Sequence, residues 1–182
     1  MLYLLVTVIL FLAELLYFRI ANKYNIIDKP NERSSHNYIT IRGGGIIWWV
    51  AALLFVLFNS YEMSGWFLTG ITLMAGISLW DDVKGLGQKV RLLAQLVAMT
   101  CAFIFTGIFG MYPWWAIALG YIVFIGIVNA YNFMDGINGI TGLYSIAVLA
   151  SLQYVNLSYG NFVHPDLIWY PMIASAVFLF FN

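Results

Sequence analysis

The sequence has very little charge. Aspartate, glutamate, lysine and arginine make up 9% of the 182 residues, whereas 63% are hydrophobic; a soluble globular domain carries roughly 25% charged residues. We therefore expect an integral membrane protein. The net charge is zero and no basic run is large enough to bind nucleic acid, which excludes nucleic acid as a partner. Cys101 is the single cysteine, so there is no disulfide framework.

Motifs of common soluble enzymes are absent as well. The sequence contains no zinc signature, P-loop, nucleophile elbow or dinucleotide-binding fingerprint. The first apolar run, from Met1 to Phe18, has neither a basic n-region nor a small-residue cleavage site. We therefore expect this run to be a retained membrane span rather than a signal peptide.

Apolar runs close to the ~20 residues that cross a bilayer recur along the chain. They predict an all-α fold, a polytopic transmembrane helical bundle that forms a single domain over residues 1–182. The predicted spans are 2–18, 44–60, 66–80, 90–107, 114–130 and 139–156, with a partial span at 170–182. Because the sequence stops within that last apolar run, we expect it to be a fragment of a longer protein.

The basic residues predict the orientation in the membrane. All eight lysines and arginines fall in two segments, Arg19–Arg42 and Lys84–Arg91. The positive-inside rule places both segments in the cytoplasm and hence the N-terminus outside. The predicted outer loops, which then contain no lysine or arginine, are 61–65, 108–113 and 157–169. In the last of these loops we expect His164 and Asp166 to be solvated.

Asp81 and Asp82 are adjacent carboxylates in a predicted inner loop, followed closely by Lys84, Lys89 and Arg91. Adjacent acids at a membrane edge cost desolvation and mutual repulsion, which indicates a function. The pair can hold Mg²⁺ (or Mn²⁺) together with substrate phosphates, or one acid can be kept basic by the charge of the other. We expect Lys89 and Arg91 to bind a phosphate. The alternative is a solvated loop in which the opposite charges screen each other.

Polar side chains recur every third residue at the end of the fifth predicted span, at Asn129, Asn132, Asp135 and Asn138. In a helix this spacing gives a slanting ridge. Three amides and one carboxylate suit hydrogen bonding to a nucleotide or a sugar. The alternative is helix packing through small residues and amide hydrogen bonds, which does not account for the carboxylate of Asp135.

The long basic segment before the second span contains Arg33 and His36 and ends in Gly43, Gly44 and Gly45. Glycines at a helix start let backbone N–H groups approach a phosphate closely. The glycines of this segment therefore suit the binding of a phosphate. The alternative is an ordinary basic loop that fixes the orientation and touches anionic lipid.

In this order, the three polar segments resemble the polyprenyl-phosphate N-acetylhexosamine-1-phosphate transferase family, which includes the muramoyl-pentapeptide transferases and the O-antigen initiating enzymes. The matching motifs are Asp28-Lys29-Pro30-Asn31 with Arg33, His36 and Gly43-Gly44; Asp81-Asp82 with Lys89-Val90-Arg91 and Gln95; and Asn129-Ala130-Tyr131-Asn132-Phe133-Met134-Asp135-Gly136. The resemblance covers nearly all of the chain but only about the N-terminal half of a family member. A later motif whose aspartate ligates Mg²⁺, and a later sugar-recognition loop, are not in this sequence.

This resemblance implies a Mg²⁺-dependent enzyme of the bacterial inner membrane with a cytoplasmic active face. The implied reaction transfers a phospho-sugar from a UDP-N-acetylhexosamine to polyprenyl (undecaprenyl) phosphate and releases UMP, directly or through an aspartyl-phosphate. It would initiate a lipid-linked surface polysaccharide such as O-antigen. The implied catalytic residues are Asp81, Asp82 and Asp135, with Asp81 taking the last proton of the lipid phosphate and both Asp81 and Asp82 as metal ligands. The implied substrate-binding residues are Arg33, His36, Gly44, Lys89, Arg91, Asn129, Asn132 and Asn138.

A competing class is a transporter or channel in which Glu14, Asp81 and Asp82 form an ion or proton pathway. Transport pathways place polar residues near the bilayer midplane on broken helices, whereas the polar clusters of this sequence lie at one predicted membrane edge. A non-catalytic membrane scaffold is the third alternative. We expect residues 1–182 alone to be inactive, since part of the implied site lies later in the family.

Overall fold

The computed structural model describes residues 1–28, 40–41, 43–59, 65–134 and 139–182. Most of these residues are helical, which confirms the predicted all-α class. The helices are α1 Leu2–Lys23, α2 Ile46–Asn59, α3 Gly65–Lys84, α4 Gln88–Phe105, α5 Ile108–Met111, α6 Trp114–Met134, α7 Ile140–Tyr159 and α8 Asp166–Phe181. One short antiparallel ladder joins β1 (Ile27–Asp28) to β2 (Thr40–Ile41), with Ile27 opposite Ile41.

Among the helices of the described residues, α1, α4, α6 and α7 are long and apolar enough to cross a membrane. The helices α2 and α8 are apolar but shorter, with 14 and 16 residues. The 20-residue helix α3 ends in a polar turn that lowers its hydropathy. Each predicted span overlaps one helix of the structure, and the number of helices that cross a membrane stays a prediction.

The acidic pair lies in a helix and not in a loop as we expected. Helix α3 continues through Asp81 and Asp82 to Lys84. It ends at Gly85, whose φ of +66° is left-handed and whose N–H donates to the backbone oxygen of Asp81 at 2.8 Å. A left-handed glycine is a common helix stop, so the helix ends at this glycine rather than where the apolar run ends.

The described chain divides into two compact units. The first unit comprises Met1–Tyr61 and Met134–Asn182, and the second comprises Glu62–Phe133. In the first unit α8 packs against α1, α2 and α7. Trp48 on α2 donates its indole N–H to the hydroxyl of Ser175 on α8 at 2.9 Å, and the rings of Phe55 and Tyr170 are fully buried between these helices.

Asp166 is buried, which contradicts the expectation that it is solvated. Its side chain is 8% exposed and accepts a hydrogen bond of 2.7 Å from the hydroxyl of Tyr3 on α1. Its backbone N–H donates to Nδ1 of His164 at 3.2 Å. Because Tyr3 is 163 residues away in the sequence, only the folded chain brings this partner to the start of α8.

The second unit is built on the hairpin of α3 and α4. A Cβ atom on Gly70 of α3 would lie 3.1 Å from the backbone oxygen of Ala98 and 3.2 Å from Cβ of Cys101. The two helices thus approach closely because this position has no side chain, as small residues allow in membrane proteins. On the other side of α4, the ring of Phe103 packs against Tyr121 of α6 at a centroid distance of 4.8 Å.

Candidate functional site

The acidic pair and the cations meet at the turn between α3 and α4. The Oδ1 atom of Asp81 accepts a hydrogen bond of 2.6 Å from the backbone N–H of Leu86. Its Oδ2 atom accepts one of 3.2 Å from Nη1 of Arg91. The side chains of Asp81 and Arg91 are 25% and 33% exposed. Asp81 therefore closes the turn and holds the first turn of α4 at the same time.

Asp82 is half-buried on the same last turn of α3. Consecutive side chains on a helix diverge by about 100°, so Asp82 leaves the helix in a different direction from Asp81. It has an interaction of its own within the protein. The two neighbouring side chains thus leave the helix in different directions.

Three cations surround this turn, with exposed apolar side chains between them. The ammonium of Lys84 lies 5.7 Å from the ring centroid of Trp80, and Lys89 is exposed in the first turn of α4. Val83 and Val90 are 55% and 47% exposed. The first turn of α4 contains no acidic residue, although a helix start carries a partial positive charge. Positive charge beside apolar surface suits the phosphate of a lipid.

Helix α6 brings Asn129 to the same side of α4. Its amide nitrogen donates to Oε1 of Gln95 at 3.2 Å and to the backbone oxygen of Ile125 at 2.8 Å. Gln95 follows Arg91 by four residues, so both lie on one face of α4. Polar side chains therefore form a row across α3, α4 and α6, in which Arg91 donates to Asp81 and Asn129 donates to Gln95. We call it the polar row, and its members are Asp81, Arg91, Gln95 and Asn129.

The direction of α6 brings Asn132 towards the start of α4. Tyr121 bonds Thr100 at 2.7 Å, and Asn129 bonds Gln95 further along. The two helices are therefore antiparallel, and a later position on α6 lies level with an earlier position on α4. Asn132 is exposed and lies almost one turn after Asn129 on α6. It is therefore nearer than Asn129 to the level of Arg91 along α4.

Five predicted site residues remain. Four of them lie outside the residues that the structure describes, namely Arg33, His36, Asp135 and Asn138. Gly44 lies in the first unit, where a Cβ atom would come 3.0 Å from Oε1 of Glu14 and 3.2 Å from Cε2 of Phe178. Gly44 thus packs directly against a carboxylate, and the roles of all these residues stay predictions.

The sequence patterns alone assigned two further polar residues no role in a transferase site, although Glu14 was part of the alternative ion or proton pathway. Glu14 is 1% exposed on α1, and neither of its carboxylate oxygens has a hydrogen-bond partner among the described residues; its signal was a lone acid in an apolar run. Gln95 entered only through the family resemblance, and its spacing of four residues from Arg91 is the signal that places it in the polar row.

The donor atoms at the end of α3 suit a hard cation. Within the described residues, no three or more His, Cys, Asp or Glu side chains are grouped to hold a metal ion. Mg²⁺ takes only one or two carboxylates, because it keeps several waters and binds substrate phosphates as well. A carboxylate from this turn together with a bound phosphate therefore fits Mg²⁺.

Comparisons with known proteins identify the family. The profile of glycosyl transferase family 4 matches residues 63–182, which contain the polar row and all but the first residue of the second unit. No solved structure matches the chain.

Three curated bacterial proteins are similar in sequence. A probable undecaprenyl-phosphate N-acetylglucosaminyl 1-phosphate transferase of Bacillus subtilis is 28% identical over 180 residues, which cover 90% of this chain and 50% of that protein. An undecaprenyl-phosphate alpha-N-acetylglucosaminyl 1-phosphate transferase of Thermotoga maritima is 32% identical over 139 residues, covering 73% and 44%. A protein of the same name from Yersinia pestis is 24% identical over 138 residues, covering 68% and 38%.

The chain thus spans about half the length of the curated relatives that it matches. Its apolar helices, together with relatives that are named for a lipid phosphate, indicate a multi-pass membrane protein. Since the family profile covers well over half of the chain, the sequence belongs to glycosyl transferase family 4.

Proposed function

We propose that this protein transfers a phospho-N-acetylhexosamine from a UDP-sugar to polyprenyl phosphate and releases UMP. The observation that carries the proposal is the concentration of two carboxylates and three cations within residues 81–91, with exposed apolar side chains between them. The names of the relatives, which act on undecaprenyl phosphate, support the same class of acceptor.

The start of α4 suits a lipid phosphate. Lys89 and Arg91 lie in its first turn, where the helix dipole adds to their positive charge. Arginine offers five N–H donors, and the one ion pair with Asp81 leaves others for a phosphate. The exposed valines beside these cations provide apolar contact for the start of a hydrocarbon chain. Lys89 and Arg91 are therefore the residues that we assign to the acceptor phosphate.

The transfer itself needs alignment more than activation. An oxygen of the acceptor phosphate attacks the phosphorus that carries the sugar, and the bond from that phosphorus to the bridging oxygen breaks, so that UMP leaves. Both reactants are anions, so the main tasks are to reduce their repulsion and to hold them in line. The cations of the turn serve the first task, and the amides of Asn129 and Asn132 serve the second by orienting the nucleotide.

Asp82 is the carboxylate of the described turn that we assign to Mg²⁺. When bound there, the metal neutralises charge on the pyrophosphate. Asp135 is proposed as a further catalytic acid, on the basis of the family motif alone. Arg33, His36, Gly44 and Asn138 are proposed as donor-binding residues on the same basis.

The proposed setting is the bacterial inner membrane, with the polar row on the cytoplasmic face and the lipid-linked product used for a surface polysaccharide. Arg19 and Lys23 at the end of α1 and the three cations of residues 84–91 support this orientation by the positive-inside rule. The sugar is proposed to be N-acetylglucosamine, as the names of the relatives suggest.

The test is mutational. In full-length protein in membranes, Asp82→Asn and Asp135→Asn should each lower UMP release by about a hundredfold to ten-thousandfold, which is typical for loss of a catalytic acid or base. Asp81→Asn should lower it as well at low acceptor concentration. Asp166→Asn, a matched change of a hydrogen-bonded carboxylate in the first unit, should retain activity. Near-normal UMP release by all three site variants would exclude the assignment.

A further inference from the structure

Asp81 contributes both its side chain and its backbone oxygen to the turn between α3 and α4. Both carboxylate oxygens of Asp81 are bonded within the protein, one to the N–H of Leu86 at 2.6 Å and one to Arg91 at 3.2 Å. Its backbone oxygen accepts the N–H of Gly85 at 2.8 Å. Asp81 thus makes three contacts that fix the turn and the start of α4.

We propose that Asp81 is a positioning residue, which fixes Arg91 for the acceptor phosphate; Asp82 keeps the role at the substrates that the proposed function assigns to it. The proposal rests on the proposed function, and it replaces the expectation that Asp81 takes a proton from the lipid phosphate. The two adjacent residues then have different roles, whereas the family resemblance assigns both of them to catalysis and to the metal.

Arg91 needs such a partner for two physical reasons. A cation in the first turn of a helix is repelled by the positive end of the helix dipole, and the first turn of α4 has no acid of its own. A free arginine side chain also samples many rotamers, and binding a phosphate would have to order them. The ion pair with Asp81 offsets the repulsion by the helix dipole. It also orders part of the Arg91 side chain before any substrate binds.

Arg91 lies on the same face of α4 as a residue that contacts the nucleotide side of the site. This residue, Gln95, lies one turn after Arg91 and accepts the hydrogen bond from Asn129 on α6. Helix α4 therefore carries both the group assigned to the acceptor phosphate and the hydrogen-bond partner of the group assigned to the donor. Removing the carboxylate charge of Asp81 should loosen Arg91 first and change acceptor binding more than chemistry.

The experiment is a double-mutant cycle on the full-length enzyme, with separate KM values for polyprenyl phosphate and UDP-sugar. Asp81→Asn keeps an oxygen that can accept the Leu86 N–H but loses the charge that holds Arg91. We expect it to raise the acceptor KM by about tenfold to a hundredfold, the range for one charged hydrogen bond, with a much smaller change in kcat and in the donor KM. Asp82→Asn should lower kcat instead.

The cycle with Arg91→Gln separates positioning from chemistry. If Asp81 acts through Arg91, the double variant Asp81→Asn/Arg91→Gln should have the acceptor KM of Arg91→Gln alone, because coupled residues are not additive. Asp166→Asn is the matched control and should change neither constant. Thermal unfolding of the same four proteins of the cycle gives a second readout, in which the two single changes should also be non-additive.

Several outcomes overturn the proposal. A loss of kcat in Asp81→Asn that equals that of Asp82→Asn, with unchanged acceptor KM, assigns chemistry to Asp81. Additive effects of Asp81→Asn and Arg91→Gln on the acceptor KM show that Asp81 does not act through Arg91. Failure of the wild-type protein to release UMP refutes the proposed function itself, and the thermal cycle then still tests the coupling of the two residues.

Discussion

At the scale of single residues, the surroundings of each acid decide what it can do. Asp81 is held by Arg91 and by a backbone N–H, Asp166 is held by the hydroxyl of Tyr3, and Glu14 is buried with no hydrogen-bond partner among the described residues. All three stand beside apolar runs in the sequence. Their difference comes from partners that are supplied by other parts of the chain.

Glu14 gives a prediction about stability. An unpaired buried carboxylate costs free energy, and replacing even a buried ion pair by apolar residues of similar volume is often neutral or stabilising by about 1–4 kcal/mol. Glu14→Met should therefore raise the Tm of the purified protein in detergent. Leu16→Met, at an exposed position of the same helix, is the matched control and should leave Tm unchanged.

A lower Tm for Glu14→Met would show that the carboxylate is stabilised by a group that complements it in the assembled protein. The contact with Gly44 gives the place to look for that group, because Oε1 of Glu14 lies where a side chain at Gly44 would start.

At this scale the local pattern indicates which positions are polar, but not which partners they have. The polar spacing on the fifth span predicts that Asn129 binds substrate, and this stays a prediction; in the structure its amide donates to Gln95 and to the backbone oxygen of Ile125. The solvated state expected for Asp166 was wrong because its partner, Tyr3, lies at the other end of the chain. A partner that is distant in the sequence cannot be predicted from the local sequence pattern.

At the scale of elements, the turn between α3 and α4 positions the candidate site. The sequence predicted both helices from their apolar runs, but it ended the first one before the acids. The end of α3 is set by the left-handed Gly85, whose N–H bonds the backbone oxygen of Asp81. Hydrophobicity marks where a helix leaves the apolar region, whereas backbone conformation marks where the helix stops.

Gly85 and Gly87 provide a matched pair of variants. An alanine at Gly85 would be strained at φ of +66° by about 1–2 kcal/mol, although no atom lies within 4 Å of its Cβ position. Gly87 is equally open but has φ of −65°, which alanine adopts readily. Gly85→Ala should lower Tm and raise the acceptor KM by moving Asp81, while Gly87→Ala should change both far less. Equal effects of the two variants would show that the left-handed turn does not position the site.

At the scale of the whole molecule, the sequence was sufficient for the class of protein and for the family. Low charge and recurrent apolar runs predicted an all-α membrane protein, and three polar motifs predicted the transferase family to which residues 63–182 belong. The number of membrane spans and the partner of each helix are not determined by such patterns. Both depend on packing between helices, and apolar composition does not identify which helix packs against which.

The central claim is that residues 81–91 serve the transfer of a phospho-sugar to a lipid phosphate. The most direct measurement is the UDP-N-acetylglucosamine-dependent release of UMP by membranes that contain the full-length protein and added polyprenyl phosphate, with the Asp82→Asn protein measured in parallel. We predict that the wild-type protein forms UMP and a lipid-linked sugar pyrophosphate in equal amounts, and that the Asp82→Asn protein forms almost none of either product. UMP release that is absent in the wild type, or that is the same in both proteins, would contradict it.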